Sequence, residues 1–166
     1  MLRSQRRASL LEHQHSTGAQ RSRGFLVFSV GGQQIAACTE EIAGVCPWPE
    51  AMPVPSSTPF ISAMVRLDDG CMPVYDLAAK FNRHVNPAGA LCLIVKHEDG
   101  PMAVCIDPSI PSLHMADART IDEQAGGDPD MVGTCSIGDE RVGIIRLIRL
   151  GKGVSAAKEC AYQSHV

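Results

Sequence analysis

The chain has 166 residues and a formal net charge of −3, with 45% hydrophobic, 20% charged and only 4% aromatic residues. That length suffices for one domain with a real core or for two small intertwined ones, and the core must come from aliphatic, methionine and cysteine side chains. No apolar run approaches the roughly 20 residues that cross a bilayer, so no membrane-spanning helix is expected.

Residues 1–23 hold five arginines (Arg3, Arg6, Arg7, Arg21, Arg23) against Glu12 alone, a net +4 that leaves −7 on the other 143 residues. A negative folded part argues against a nucleic-acid surface there. The leading segment is rich in Arg, Ser, Gln and His and lacks the apolar stretch of a secretory signal, so it reads as a flexible basic tail. An Arg- and Ser-rich organelle presequence is the alternative. His13-Gln-His15 has no Cys or carboxylate at ligand spacing, and we assign no metal site.

The body then reads as four β-hairpins, each an apolar run, a Gly/Asp turn and a second apolar run. The first runs from Phe25–Val30 through Gly31-Gly32 into Gln34–Cys38. Thr39–Cys46 reads as a single helical turn capped by Thr39, with Ile42 and Val45 three apart on its inner face. Five prolines between Pro47 and Pro59 exclude helix or central strand and mark an extended connection. The second hairpin is Ile61–Leu67, Asp68-Asp69-Gly70 and Cys71–Tyr75. Asp76 is the expected N-cap of a short helix through Phe81, with Lys80 four residues on.

Leu91–Val95, Glu98-Asp99-Gly100 and Met102–Ile106 form the third hairpin, followed by an extended piece bracketed by Pro108 and Pro111 and ending near Met115. Asp117–Asp130, with five acidic residues beside Gly126-Gly127, reads as an exposed acidic loop holding at most one helical turn. Met131–Ile137, Gly138-Asp139 and Arg141–Leu147 make the fourth hairpin, and 151–166 is a tail or short helix. Phe25–Val30 and Leu91–Val95 are apolar at both alternate positions, so each must lie between two layers of packing. Two small barrels resting on each other meet that need, and the halves 24–85 and 91–150 repeat one plan, with strands open to exchange between them.

Seven cysteines, an odd number without a Cys-x-x-Cys pair, fit a reducing cytoplasm better than a disulfide framework. Most lie in predicted strands as small apolar residues. Asp68-Asp69 beside Gly70 is what a turn selects, and Gly133-Thr-Cys-Ser-Ile-Gly138 lacks the pattern of a nucleophile turn. Gly31-Gly32 and Gly126-Gly127 form no phosphate loop. His84, His97 and His114 are isolated and are expected at the surface. No catalytic, metal or cofactor constellation emerges.

Several segments in order resemble the CheW-like family of bacterial chemosensory coupling proteins. They are Phe25-Leu-Val-Phe-Ser-Val-Gly-Gly32, the Ile42-x-x-Val45 step, Pro59-Phe-Ile61, Gly70-Cys-Met-Pro-Val-Tyr-Asp-Leu77, Gly100–Asp107 and Gly138–Leu150. The likeness covers roughly residues 24–150, and its most specific part is Pro73-Val-Tyr-Asp-Leu77. The resemblance implies a mainly β fold of two intertwined SH3-like barrels. It implies a non-catalytic adaptor, without cofactor, that links chemoreceptor cytoplasmic tips to the regulatory domain of a CheA-type histidine kinase in chemotaxis or type IV pilus motility. Ile42, Val45, Met64 and Arg66, with Asp68 at the rim, are the candidates for a receptor-facing groove between the barrels. The chain departs from the family at Asp68, where many members carry arginine, at Gly44, often glutamate, and at Arg146, commonly aspartate. A competitor that binds receptor or kinase without activating is the alternative. A cysteine-dependent redox sensor or enzyme is the weaker one.

Overall fold

The structure is a computed structural model that describes residues 22–68, 70–123 and 127–152. The basic tail through residue 21 with His13 and His15, Asp69, and the short helix expected near 154–162 lie outside the described residues.

Strands β1 (Ser22–Val30) and β2 (Gln33–Cys38) form the first hairpin, and Val30 faces Gln33 across Gly31 and Gly32. Both glycines have positive φ, 56° and 84°, the conformation that a two-residue turn matched to strand twist requires. A 3-10 turn at Thr39–Glu41 leads into β3 (Ile42–Pro47), and the proline-rich connection holds a short strand, β4 (Ala51–Pro53). β4 pairs with β5 (Ile61–Leu67) alone and ends its sheet, the place where prolines are tolerated. After β6 (Gly70–Tyr75), Asp76 caps helix α1 (Leu77–Lys80) by accepting the Ala79 N–H at 3.0 Å, as its position in the sequence led us to expect. β7 (Leu91–His97) and β8 (Gly100–Ile106) make the third hairpin. β9 (Ser112–Asp117), β10 (Asp122–Glu123), β11 (Met131–Ile137) and β12 (Glu140–Ile145) complete the order.

Two curled six-stranded sheets result, giving a mainly β fold of two intertwined barrels. The first barrel runs β10-β11-β12-β2-β1-β9 and the second β3-β7-β8-β6-β5-β4. The barrels are therefore not the chain halves 24–85 and 91–150. Each half sends its leading hairpin into the other half's barrel: β1–β2 joins β9–β12, and β7–β8 joins β3–β6. The joints are parallel pairings, β2 with β12 (Ile35 opposite Gly143) and β6 with β8 (Val74 opposite Ala103). Parallel neighbours cannot be joined by a tight turn, so their partners come from far along the chain, where hairpin patterns give no sign of them.

Strands with two apolar faces serve two cores. Phe25 and Val27 of β1 pack inside the first barrel with Ala36, Cys135, Val142 and Ile144. Phe28 and Val30 enter a larger core with Leu93, Val95, Val104, Ile106, Ile145 and Leu147. That core is the seam between the barrels. Across β7 the split repeats, with Cys92 inside the second barrel and Leu93 and Val95 in the seam.

Polar bonds close the seam at its margins. The Asp107 carboxylate, beyond β8, accepts from the Ser29 hydroxyl at 2.6 Å and from the Gly31 and Gly32 N–H groups at 3.0 and 2.8 Å. Two expectations of surface residence are corrected here. Asp130, in the acidic stretch, is 2% exposed and pairs with Lys80 of α1, which also meets Asp128 at 2.9 Å. A carboxylate can be buried there because an ammonium from the other half of the chain compensates it. His97 is also buried: Nδ1 accepts the Asp99 N–H at 3.1 Å, which leaves Nε2 to donate to the Leu150 carbonyl at 2.9 Å. The rest of the acidic stretch forms a 3-10 turn at Ala118–Thr120 and the exposed β10.

Desolvation pulls the Asp107 carboxyl upward, but hydrogen bonds from Ser29, Gly32 and Gly31 outweigh it and hold the group below the ordinary carboxylate range. A folded-state value below the unfolded value of about 3.9 means that this stabilisation is complete above the unfolded value and is lost as pH falls through the folded one. Asp107→Asn is expected to cost about 1–2 kcal/mol at pH 7 in urea unfolding, a modest figure because the carboxylate is partly exposed. The gap between wild type and variant should narrow in acid below the carboxylate range.

Candidate partner-binding surface

The segment expected as a helical turn is a strand entered from a 3-10 turn. Thr39 does not cap it; its hydroxyl donates to the Gly24 carbonyl at 3.3 Å instead. Gly44, β-branched Ile42 and Val45, and a proline at 47 that pushes Cys46 toward extended backbone all favour strand over helix. Ile42 and Val45 nevertheless share a face. The register of β3 against β7 shifts between Ile42 and Gly44, so Ile42 lies opposite Val95 and Val45 opposite Leu93. An extra residue in one strand restores the phase that three-residue spacing would otherwise break. Val95 and Leu93 both belong to the seam core. Ile42 packs against that core, whereas Val45 is 41% exposed at its flank.

Met64 and Arg66 stand two apart on β5 and so on one face, and the inward neighbours Ala63 and Val65 fill the second barrel. Directly opposite Met64 lie Met52 on β4 and Pro73 on β6; opposite Arg66 lies Cys71. Met52 is 53% exposed, and Arg66, Cys71 and Asp68 are exposed too. Asp68 sits in the turn with φ of 51°. Cys71 thereby departs from the expectation of a buried strand cysteine, because its strand parity points outward.

All five predicted residues thus belong to the second barrel. Ile42 and Val45 lie on β3, at one edge of its sheet, and Met64, Arg66 and Asp68 lie on or beside β5, next to the other edge. Of the five, Ile42 is the one packed against the seam core. The two edges turn toward a common interior, since Cys46 of β3, Trp48 and Ala51 of β4 pack on one cluster with Val65. Met52 escaped the sequence reading because a methionine inside a proline run carries no periodic signal until β4 is seen to pair with β5.

The first barrel carries a second exposed apolar strip. Leu113 and Met115 on its edge strand β9 are 66% and 67% exposed, opposite Leu26 and Gly24 of β1. Within its sheet β9 borders β1 as β3 borders β7 in the other barrel. A cavity of about 370 Å³ also opens in this barrel, lined by Arg23, Phe25, Cys38, Glu41, Ile144 and Arg146 among others, and none of the five predicted residues borders it. Burial pushes the Glu41 carboxyl up, although it accepts the Leu147 N–H at 2.9 Å.

The family model of the CheW-like domain matches residues 24–152. The chain belongs to the CheW-like family. Among solved structures it is similar to the scaffolding protein TtCheW from Thermoanaerobacter tengcongensis, at 18% sequence identity and a TM-score of 0.66 over 77% of this chain and 91% of that one. No curated protein matches the sequence. The twin-barrel architecture is therefore a CheW-like fold, and its matched span takes in both apolar strips. Among the described residues no helix is long and apolar enough to cross a membrane.

Exposure separates the two β3 residues experimentally. Val45→Ser should change stability by less than about 1 kcal/mol, whereas Ile42→Ser, at the seam core, should cost about 2 kcal/mol or more in urea unfolding.

Proposed function

We propose that this chain is a non-catalytic cytoplasmic adaptor of bacterial chemosensory signalling, coupling chemoreceptor cytoplasmic tips to the regulatory domain of a CheA-type histidine kinase. The observation that carries the reading is the CheW-like match over 24–152, nearly the whole described fold. The surface agrees with it in kind. An adaptor needs two apolar areas facing separate partners, and the described residues offer exposed Met52 beside half-buried Met64 in the second barrel, with Val45 exposed on the other edge strand of the same sheet, and Leu113 with Met115 in the first.

Ile42, Val45, Met64 and Arg66, with Asp68 at the rim, are the proposed receptor-facing residues. Their aliphatic and thioether surface supplies area, while Arg66 and Asp68 select the partner by charge. The reversed charge at Asp68 favours a second reading, in which the chain occupies a receptor or kinase site without activating. Kinase autophosphorylation with and without added protein separates the two: coupling raises it, competition lowers it.

Calorimetric titration of the full chain against a receptor-tip hairpin and a kinase regulatory domain from the same cell should detect both complexes. Binding to neither overturns the proposal. Val45→Asp should weaken receptor binding at least tenfold and leave kinase binding intact. Asp68→Arg should tighten binding to a receptor whose other partners carry arginine there; an unchanged affinity would remove Asp68 from the surface.

A further inference from the structure

Three cysteines stand in one row across three neighbouring strands. Cys46 of β3 lies directly opposite Cys92 of β7, and Cys92 lies directly opposite Cys105 of β8. All six described cysteines are free thiols.

The hydrogen-bond pattern distinguishes the two pairings. β7 and β8 are joined by the two-residue turn Glu98-Asp99, which makes His97 and Gly100 a hydrogen-bonded pair. Bonded and non-bonded pairs alternate from there along an antiparallel ladder. Lys96–Pro101 is then non-bonded, as it must be because proline has no N–H. Counting on, Cys92–Cys105 is also non-bonded, the closer kind, with Cα atoms about 4.5 Å apart and Cβ atoms at the near end of the cross-strand range. Disulfides take Cα separations of roughly 4.4–6.8 Å and Cβ separations of roughly 3.5–4.5 Å. On the other side of β7, the Trp48 N–H donates to the Ala90 carbonyl at 3.0 Å, two residues along from Cys46–Cys92. Cys46–Cys92 is thus a hydrogen-bonded backbone pair, whose Cβ atoms lie farther apart, near 5.5 Å. The Cys92 thiol meets the Cys46 thiol in the reduced protein, but a bridge there would need Cβ atoms closer than this pairing allows, so closure on Cys105 requires the Cys92 side chain to turn from Cys46.

We propose that Cys92 and Cys105 form a latent cross-strand dithiol that closes to a disulfide under a peroxide oxidant. Cys105 is partly exposed and Cys92 fully buried, so the oxidant reaches Cys105 first. The Cys105 sulfur attacks one peroxide oxygen, the O–O bond breaks, and a sulfenic acid and one water form. The Cys92 sulfur then displaces the sulfenic hydroxyl, which leaves with a proton as a second water. Two S–H bonds are lost, one S–S bond is made, and two electrons pass to the peroxide. Burial pushes the Cys92 thiol up to about 12 and the Cys105 thiol up to about 11. Both are therefore protonated at neutral pH, and the pair closes under sustained rather than brief oxidation. The bond would pin the hairpin that the second half of the chain sends into the second barrel, one strand away from Val45.

The test needs neither a partner nor the adaptor reading. The full chain carrying Cys71→Ser, which removes the exposed thiol among the described residues, is incubated with hydrogen peroxide. Remaining thiols are alkylated, and the monomer is digested with trypsin without reduction. Cleavage after Arg83, Lys96 and Arg119 puts Cys92 in peptide 84–96 and Cys105 in peptide 97–119, while Cys46 stays in 24–66. The expected product is 84–96 joined to 97–119, two hydrogen atoms lighter than the separate peptides and released by dithiothreitol. Cys105→Ala should abolish that linkage and leave Cys92 alkylatable after denaturation. Recovery of Cys92 as a thiol while Cys105 proceeds to sulfinic or sulfonic acid would overturn the proposal, as would Cys92 joined to peptide 24–66.

Discussion

The seam core between the barrels is the constraint on which the other features depend. β1 and β7 place apolar side chains on both faces, one face toward a barrel interior and the other toward the seam. Neither strand could stand at the surface of a lone barrel without exposing Phe28 and Val30, or Leu93 and Val95. Burying such side chains is worth about 1.5–3 kcal/mol each, so exposing these four alone would cost an amount comparable with a small domain's whole stability. Exchange of the leading hairpins makes separation harder still, because each barrel contains strands from both halves of the chain.

The polar groups around the seam are consequences of that packing. Crossing from β2 to β3 and from β8 to β9 carries the chain between barrels and brings turns and termini of distant elements together. Asp107 collects the orphan N–H groups of the Gly31-Gly32 turn, and Asp130 meets Lys80 from the opposite half. Buried ion pairs add little net stability but penalise any arrangement that leaves one partner unmatched. Here the Asp130–Lys80 pair joins the segment before β11 of the first barrel to α1, which follows β6 of the second. His97 has the same character, holding the Leu150 carbonyl against the end of the third hairpin.

The same geometry makes the surface. Where one barrel covers the other, seam-facing residues are core; just beyond the covered strip, residues of equal character are left in solvent. Val45 is one register step from Ile42 on the same face, and only the second of these is screened by the seam. Leu113 and Met115 bear the same relation to Phe28 and Val30 of β1 through Leu26. Apolar area at such a margin extends a core that is already rigid, so a partner docking there meets a preorganised face.

Turn chemistry and strand patterning were legible in the residues: all four hairpins, the Asp76 cap and the two-faced character of β1 and β7 follow from Gly/Asp turns and from apolar residues at both parities. Ile42 and Val45 were readable as sharing a face, though the reason is a strand irregularity rather than a helical turn, and local spacing is compatible with either. Met52 could not be found, since its exposure follows from pairing with β5. Asp130, His97 and Cys71 were misplaced for a related reason: residue type sets a preference for surface or core, but a distant Lys80, a carbonyl at 150 or a strand parity decides it. Local patterns encode which segments pair across a turn, because that geometry is written within a few residues. Which hairpin enters which barrel is settled by parallel contacts between segments some 30 to 110 residues apart, and those depend on how two apolar faces fit once the whole chain has collapsed.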